Sequence, residues 1–370
     1  MSHSSSSQHA EPAVADALPG SARSTRTSWF ARPVVRYIGI RGLVSAVLLL
    51  GVTIVTFILT NLVPVSPITA ALGEQAASDP ATVAKFVHDA GLDKPAIVQY
   101  FVYLGKLLHG DLGTSIQTRN PVTQDLGQAF PATAELALCV ILISIILGLG
   151  LGLIAAVRKD RFSDQLIRMV SLIGISVPTF WLAAAIYFLF FFVLRWAPGS
   201  GRLSPAATPP PRVTGMYTVD SLLSGQFTTF LDAVTHLALP TLTLTLFTVG
   251  MLVRFSRTAI LDVLNQDYVR AARAKGLATN RVLFGYVVRG SIAPILTIVG
   301  LAFGSLLSGT VLTEQVFAWG GLGQYAYRAS TALDLPSVMG VGLLVGAIYI
   351  ITNFIIDVVY GFVDPRVRIG

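Results

Sequence analysis

Long apolar stretches alternate with short basic ones along this 370-residue chain. Between consecutive Asp, Glu, Lys or Arg residues, six uncharged apolar runs exceed twenty residues: 42–73, 136–157, 169–194, 233–253, 290–313 and 335–356. About 20 largely apolar residues, rising about 1.5 Å each, carry an α-helix across a bilayer. Core helices of soluble proteins are usually shorter and keep a polar face, whereas these runs are apolar all round. The pattern predicts an all-α integral membrane protein with six transmembrane helices, at about 37–62, 133–157, 168–195, 234–256, 287–313 and 337–362.

The polar segments set an orientation. Taken alternately, the segments flanking the spans hold 18 and 8 of the 26 Lys and Arg residues, and the richer set lies in the shorter loops and flanks. The positive-inside rule therefore places both termini in the cytoplasm. Residues 1–36 are Ser-, Ala- and Pro-rich without an apolar block, which predicts a disordered cytoplasmic tail. Residues 63–132 then fall outside. Ile97, Tyr100, Phe101, Leu104 and Leu107 recur there at three- and four-residue steps, so a small folded extracytoplasmic cap is expected. The second external segment, 195–232, is punctuated by Pro and Gly and is expected to follow the surface.

Within the spans, small residues recur at four-residue spacing, as at Gly148 and Gly152, Gly300 and Gly304, and Gly342 and Gly346. Such positions let helices approach closely in lipid, which predicts a compact bundle. Ionisable groups are nearly absent from the span interiors, which weakens a proton-coupled carrier. Glu135 and Arg195 fall at span ends, and Asp357 lies about one turn from the end of span six, where an interfacial or ion-paired carboxylate is expected and a proton relay is the alternative.

Candidate chemistry is sparse. No G-x-x-x-x-G-K-[ST], nucleophile elbow, HExxH or CxxC occurs, so an energy-converting or catalytic site is not expected, nor any cofactor or nucleic-acid partner. The lone cysteine, Cys139, and five scattered histidines make a metal site improbable. If the chain moves a solute uphill, another subunit must supply the energy.

The loop 257–286 holds "DYVRAARAKGL", in which Arg270, Arg273 and Lys275 concentrate basic charge. Good helix formers run from Arg270 to Lys275, Asp267 can cap their amino end and Gly276 offers a left-handed stop. At 100° per residue, Tyr268, Ala271, Ala272 and Lys275 share a shallow face with Arg270 and Arg273 at its flanks. Two readings account for the charge: a helix attracted to anionic lipid, or one that docks in another protein's groove.

This loop, continued by "RVLFGYVVRGSIAPI", resembles the Glu-Ala-Ala-x-x-x-Gly loop of ABC importer permeases, specifically the dipeptide, oligopeptide and nickel branch. Arg270, Ala271, Ala272 and Gly276 occupy the motif positions, with Arg replacing the Glu, and Pro294 follows at longer spacing. Further blocks resemble the same branch: "GLDKPAIVQYFVYLGKLLHGDLGTS", "ISVPTFWLA", "HLALPTLTL", "VLTEQVFAWGGLGQYAYRA" and "YGFVDPRVR". Together they cover about residues 37 to 368.

The resemblance implies a MetI-like permease in a bacterial inner membrane, paired with a homologous second permease. It also implies two cytoplasmic ATPase domains, a solute-binding protein outside, and peptide cargo. Asp267, Tyr268, Arg270, Ala271, Ala272, Arg273, Lys275, Gly276 and Leu277 would form the helix that couples to the ATPase. A peptide's backbone groups need a wetted conduit. Thr297, Ser305, Ser308 and Thr310 are candidates to line it, with Glu314 near the outer mouth; the alternative is that these groups bond neighbouring helices. Nickel or another small solute is an alternative cargo. An ATP-independent carrier or membrane scaffold is the alternative class.

Overall fold

A computed structural model describes residues 31–62, 78–90 and 94–363. The expected tail therefore lies almost wholly outside the described residues, as does the start of the expected cap. Five helices are long and apolar enough to cross a membrane, and a bent pair makes a sixth. Among the described residues the only strand pairing is a single bridge, Thr114 to Pro121.

Helix α1 (Ala31–Leu62) packs against the last helix, here α13 (Leu335–Val363). The two run antiparallel, because Tyr37 Oη donates to the Asp357 carbonyl at 3.2 Å and Arg41 pairs with the Asp357 carboxylate at 3.1 Å. Asp357 is thus ion-paired, as its depth suggested.

Helices α2 (Pro80–Ala90) and α3 (Ala96–Leu108) follow α1. No residue of α3 is fully buried. Tyr100 leans on α1, its hydroxyl 2.9 Å from that of Thr53 and its ring edge-on to Phe57, whereas Ile97 and Phe101 are exposed. The helical periodicity is borne out over Ala96–Leu108, and among the described residues Tyr100 is the one of that stripe bonded to α1.

The centre is the parallel pair α4 (Val122–Val157) and α8 (Phe227–Leu264). Both helices start before the predicted spans do, at 122 and 227 instead of 133 and 234. A Cβ at Gly148 would lie 2.6 Å from the Leu252 Cβ, and one at Gly152 2.8 Å from the Ser256 Cβ. Only glycine permits so close an approach, and burial of Leu136, Val140, Leu237 and Leu244 follows from it.

The expected third span is two helices, α5 (Phe162–Ser176) and α6 (Thr179–Val193), bent by 98°. Pro178 causes the break: it lacks an N–H and drives Val177 out of the helical region, to ψ 128. Pro131, Pro240 and Pro294 stay inside their helices. Helix α6 turns π-helical over Phe188–Val193. Segment 195–226 carries α7 (Tyr217–Leu223) and returns to α8.

Beyond α8 come α9 (Asp267–Ala274) and α10, a continuous run over 279–309 with a π-helical turn at Leu283–Val288. The short helices α11 (Val311–Phe317) and α12 (Leu322–Thr331) form a hairpin against α4 and α6, before α13. The carboxyl ends of α4, α8 and α13 and the amino ends of α1 and α10 share one end of the bundle, the basic end. The segments 195–226 and 310–334 occupy the far end.

Candidate functional site: an exposed helix and two clefts at the basic end

Helix α9 stands where the basic loop was expected to form one. Its cap is Gln266, in extended conformation, and makes no side-chain capping bond. Asp267 is the first helical residue, one place too late to cap, and pairs with Arg270. Its charge still complements the helix amino end. The other terminus is a Schellman motif: the Gly276 N–H donates to Arg273 O at 2.9 Å and the Leu277 N–H to Ala272 O at 3.4 Å. Gly276 has φ +76, a conformation that a Cβ strains.

The faces of α9 differ from the sequence expectation in one respect. Ala272 does not belong to the outward shallow face. It is 3% exposed and inserts with Val269 among Ala156, Ile260, Val282 and Val287. Leu277 packs beside this cluster. Opposite Val269 and Ala272, at 100° per residue, lie Asp267, Ala271 and Ala274, flanked by Arg270 and Lys275. Tyr268, Arg270, Ala271, Arg273, Ala274 and Lys275 are all exposed. The outer face is therefore small at its centre and basic at its edges. Because Ile260 belongs to α8 and Val282 and Val287 to α10, a push on α9 is carried directly into both helices.

The candidate path residues separate. Ser305 and Thr310 line a cleft of about 540 Å³ together with Val177, Pro178 and Thr179 at the span-three break and Thr248 of α8. The Ser305 hydroxyl donates to Leu301 O at 2.9 Å and that of Thr297 to Ala293 O at 3.3 Å, both within α10. Thr297 is not among the cleft residues. The side chain of Ser308 lies outside the described residues.

Glu314 is not at an open mouth. It has 0% exposure and accepts from Thr133 Oγ1 at 2.6 Å, Thr310 Oγ1 at 3.1 Å and the Gln324 N–H at 3.0 Å. Burial raises its pKa, and these donors oppose the rise. With its oxygens so engaged the carboxylate locks the α11–α12 hairpin to α4, and an amino group cannot reach it in this structure.

Three ion networks were not foreseen. Glu135, inside the long helix α4, accepts from Arg202 at 2.6 Å and from the Thr218 N–H at 2.7 Å, while Arg202 stacks 3.7 Å over the Tyr217 ring. Asp164 receives Arg257 Nε and Nη2, each at 2.7 Å. Asp334 accepts from Ser115 at 2.6 Å and Ser337 at 2.8 Å. Burial raises the Asp334 pKa, but these hydroxyls together with the Ile116 and Gln117 N–H groups outweigh it and hold the carboxyl below its ordinary range. None of these three pairings was signalled by the sequence, because each joins segments far apart in the chain.

Comparison with known proteins accords with the geometry. Residues 148–369 match the family described as binding-protein-dependent transport system inner membrane component, and residues 34–137 match its N-terminal component. The chain belongs to this family of inner-membrane transport components.

A probable D,D-dipeptide transport system permease protein of Escherichia coli K12 is 42% identical over 320 residues, covering 86% of this chain and 94% of that one. A di/tripeptide transport system permease protein of Pseudomonas aeruginosa is 42% identical over 318 residues, with the same coverage. A dipeptide transport system permease protein of Alkalihalophilus pseudofirmus is 36% identical over 320 residues, covering 86% and 95%.

Proposed function

We propose that this chain is a permease subunit of an ATP-driven importer of di- or oligopeptides. It pairs with a second permease, couples to cytoplasmic ATPase domains through α9, and is fed from outside by a solute-binding protein. The observation that carries the coupling is the exposed outer face of α9, small at its centre, tied by Val269 and Ala272 to α8 and α10. The peptide cargo is supported by the names of relatives that match over most of the chain.

The basic end faces the cytoplasm in this reading, since Arg158, Lys159, Arg161, Arg254, Arg257 and the α9 charges all lie there. ATP-driven closure of the ATPases displaces α9. Its apolar anchor transmits the shift to α8 and α10, the helices that form two walls of the cleft at the span-three break. That cleft, with Ser305 and Thr310, is this chain's share of the path, and its access changes as the walls move. The protein converts motion and makes or breaks no covalent bond.

Copurification from native membranes tests the reading. The wild-type chain is expected to bring down a nucleotide-hydrolysing subunit, and Gly276→Val to release it while the spans remain inserted. Recovery of other membrane complexes without any ATPase on the wild-type chain would overturn the importer and restore the lipid-bound role for α9.

A further inference from the structure

A second cleft, of about 830 Å³, lies between α5 and α8 toward the basic end. It borders the cleft at the span-three break, with Ile175 in the lining of both. Along α8 the shared wall is a single stripe, Leu244, Thr248, Met251, Arg254 and Thr258, at three- and four-residue steps. The groove begins among apolar and hydroxyl groups and ends among three guanidinium groups, Arg168, Arg254 and Arg257, with no carboxylate in its lining.

The three cations are not equivalent. Arg257 is committed to Asp164, which has 0% exposure and lies behind it. Arg168 and Arg254 are exposed and have no ion pair among the described residues. Arg168 also helps to stabilise the Asp164 carboxylate, so the groove carries a net positive, partly compensated charge at one end only.

Its upper part indicates what fills it. The break at Val177 and Pro178 leaves the last carbonyls of α5 and the first N–H groups of α6 without helical partners. At membrane depth such backbone is tolerated against protein or water, not against lipid tails. A wet groove that leads from the break to exposed guanidinium groups suits a solute with a terminal carboxylate.

We propose that the α5–α8 cleft is the inner vestibule of the path, where Arg168 and Arg254 receive the carboxylate of the passing peptide. This rests on the importer reading above. Guanidinium matches carboxylate geometry with paired N–H donors, and exposure keeps the contact weak enough for release. The positive field also draws an anionic end inward ahead of the rest of the peptide.

The test uses the complete transporter in proteoliposomes, with Cys139, the sole cysteine, replaced by Ala and Thr258→Cys as reporter. With each rate divided by that reagent's rate with a simple thiol in solution, the expected result is that a water-soluble anionic thiosulfonate modifies the reporter about tenfold faster than a cationic one of similar size. Arg168→Gln with Arg254→Gln brings the ratio toward one, and cargo peptide slows labelling in the parent but less in the double variant. Equal rates in the parent, no reaction with either reagent, or protection by anionic phospholipid in place of peptide would each overturn the vestibule. Peptide-stimulated ATP hydrolysis on the same vesicles separates the two readings. Its absence sinks the importer and the vestibule together, whereas stimulation with equal labelling rates sinks the vestibule alone.

Discussion

The far end and the basic end of this bundle handle charge in opposite ways. At the far end the buried carboxylates each gather several donors: Glu135 from Arg202 and Thr218, Glu314 from Thr133 and Thr310, Asp334 from Ser115 and Ser337. Thr310 and Ser337 are near in sequence to the carboxylates they serve, but Arg202, Thr218, Thr133 and Ser115 come from distant segments, and their bonds tie those segments together. At the basic end one buried pair, Asp164 with Arg257, ties α5 to α8, while Arg168, Arg254 and the charges of α9 are exposed. A buried charge is stable only when fully paired, and such pairing resists sliding. The far end is thus cross-linked by its buried carboxylates, whereas the basic end leaves most of its charge exposed.

Substitutions at the two ends should break or sharpen this contrast. The largest effect is expected for Arg202→Ala, which leaves Glu135, 4% exposed, without its cation. Loss of one partner from a buried ion pair costs about 3–5 kcal/mol. Thermal unfolding in detergent should show it, and an unchanged midpoint would mean that the far end is not held by its charges.

Next is Ala272→Leu, which overfills the small cluster around Val269 and Ile260 at a cost of about 1–3 kcal/mol. Because Ala272 faces inward, stability and coupling should fall together. Lost ATPase binding at unchanged stability would instead place Ala272 in the docking face.

Gly276→Val strains a left-handed residue by about 1–2 kcal/mol and unwinds the Schellman end. Here ATPase copurification should fall far more than the unfolding midpoint. An intact complex would argue against α9 as the docking element.

Asp334 adds a pH arm to the comparison. Its folded pKa is depressed, so its contribution is complete above the ordinary carboxylate pKa of about 4 and is lost as pH falls through the lower folded value. Protection of segment 113–118 from proteolysis should weaken only in that acidic window, and Asp334→Asn should abolish the dependence. The smallest effect is expected for Arg270→Ala. Its pair with Asp267 is 72% and 91% exposed, so stability should move by no more than about 0.5 kcal/mol. A larger change would show that the basic end is held by its surface charges after all.

Several features follow from the chain's local chemistry. Uncharged runs place the spans because an unpaired charge in hydrocarbon is costly over the whole width of a membrane. Gly276 ends α9 because its backbone alone adopts φ +76 without strain, a property of one residue that no distant contact is needed to reveal. The ordered blocks around "DYVRAARAKGL" likewise carry the family resemblance in linear form.

Tertiary structure decided the rest. Whether Ala271 or Ala272 faces outward depends on where Ile260, Val282 and Val287 stand, and both alanines suit either face. Pro178 breaks its span while Pro131, Pro240 and Pro294 do not, which no rule about proline alone distinguishes. Glu314 reads as a free carboxylate until Thr133, 181 residues away, is brought against it. Ser115 reaches Asp334 across 219 residues. A left-handed glycine stop and an uncharged run act over a few residues and are written in the chain; burial, pairing and clefts are relations between segments that meet only when the bundle closes.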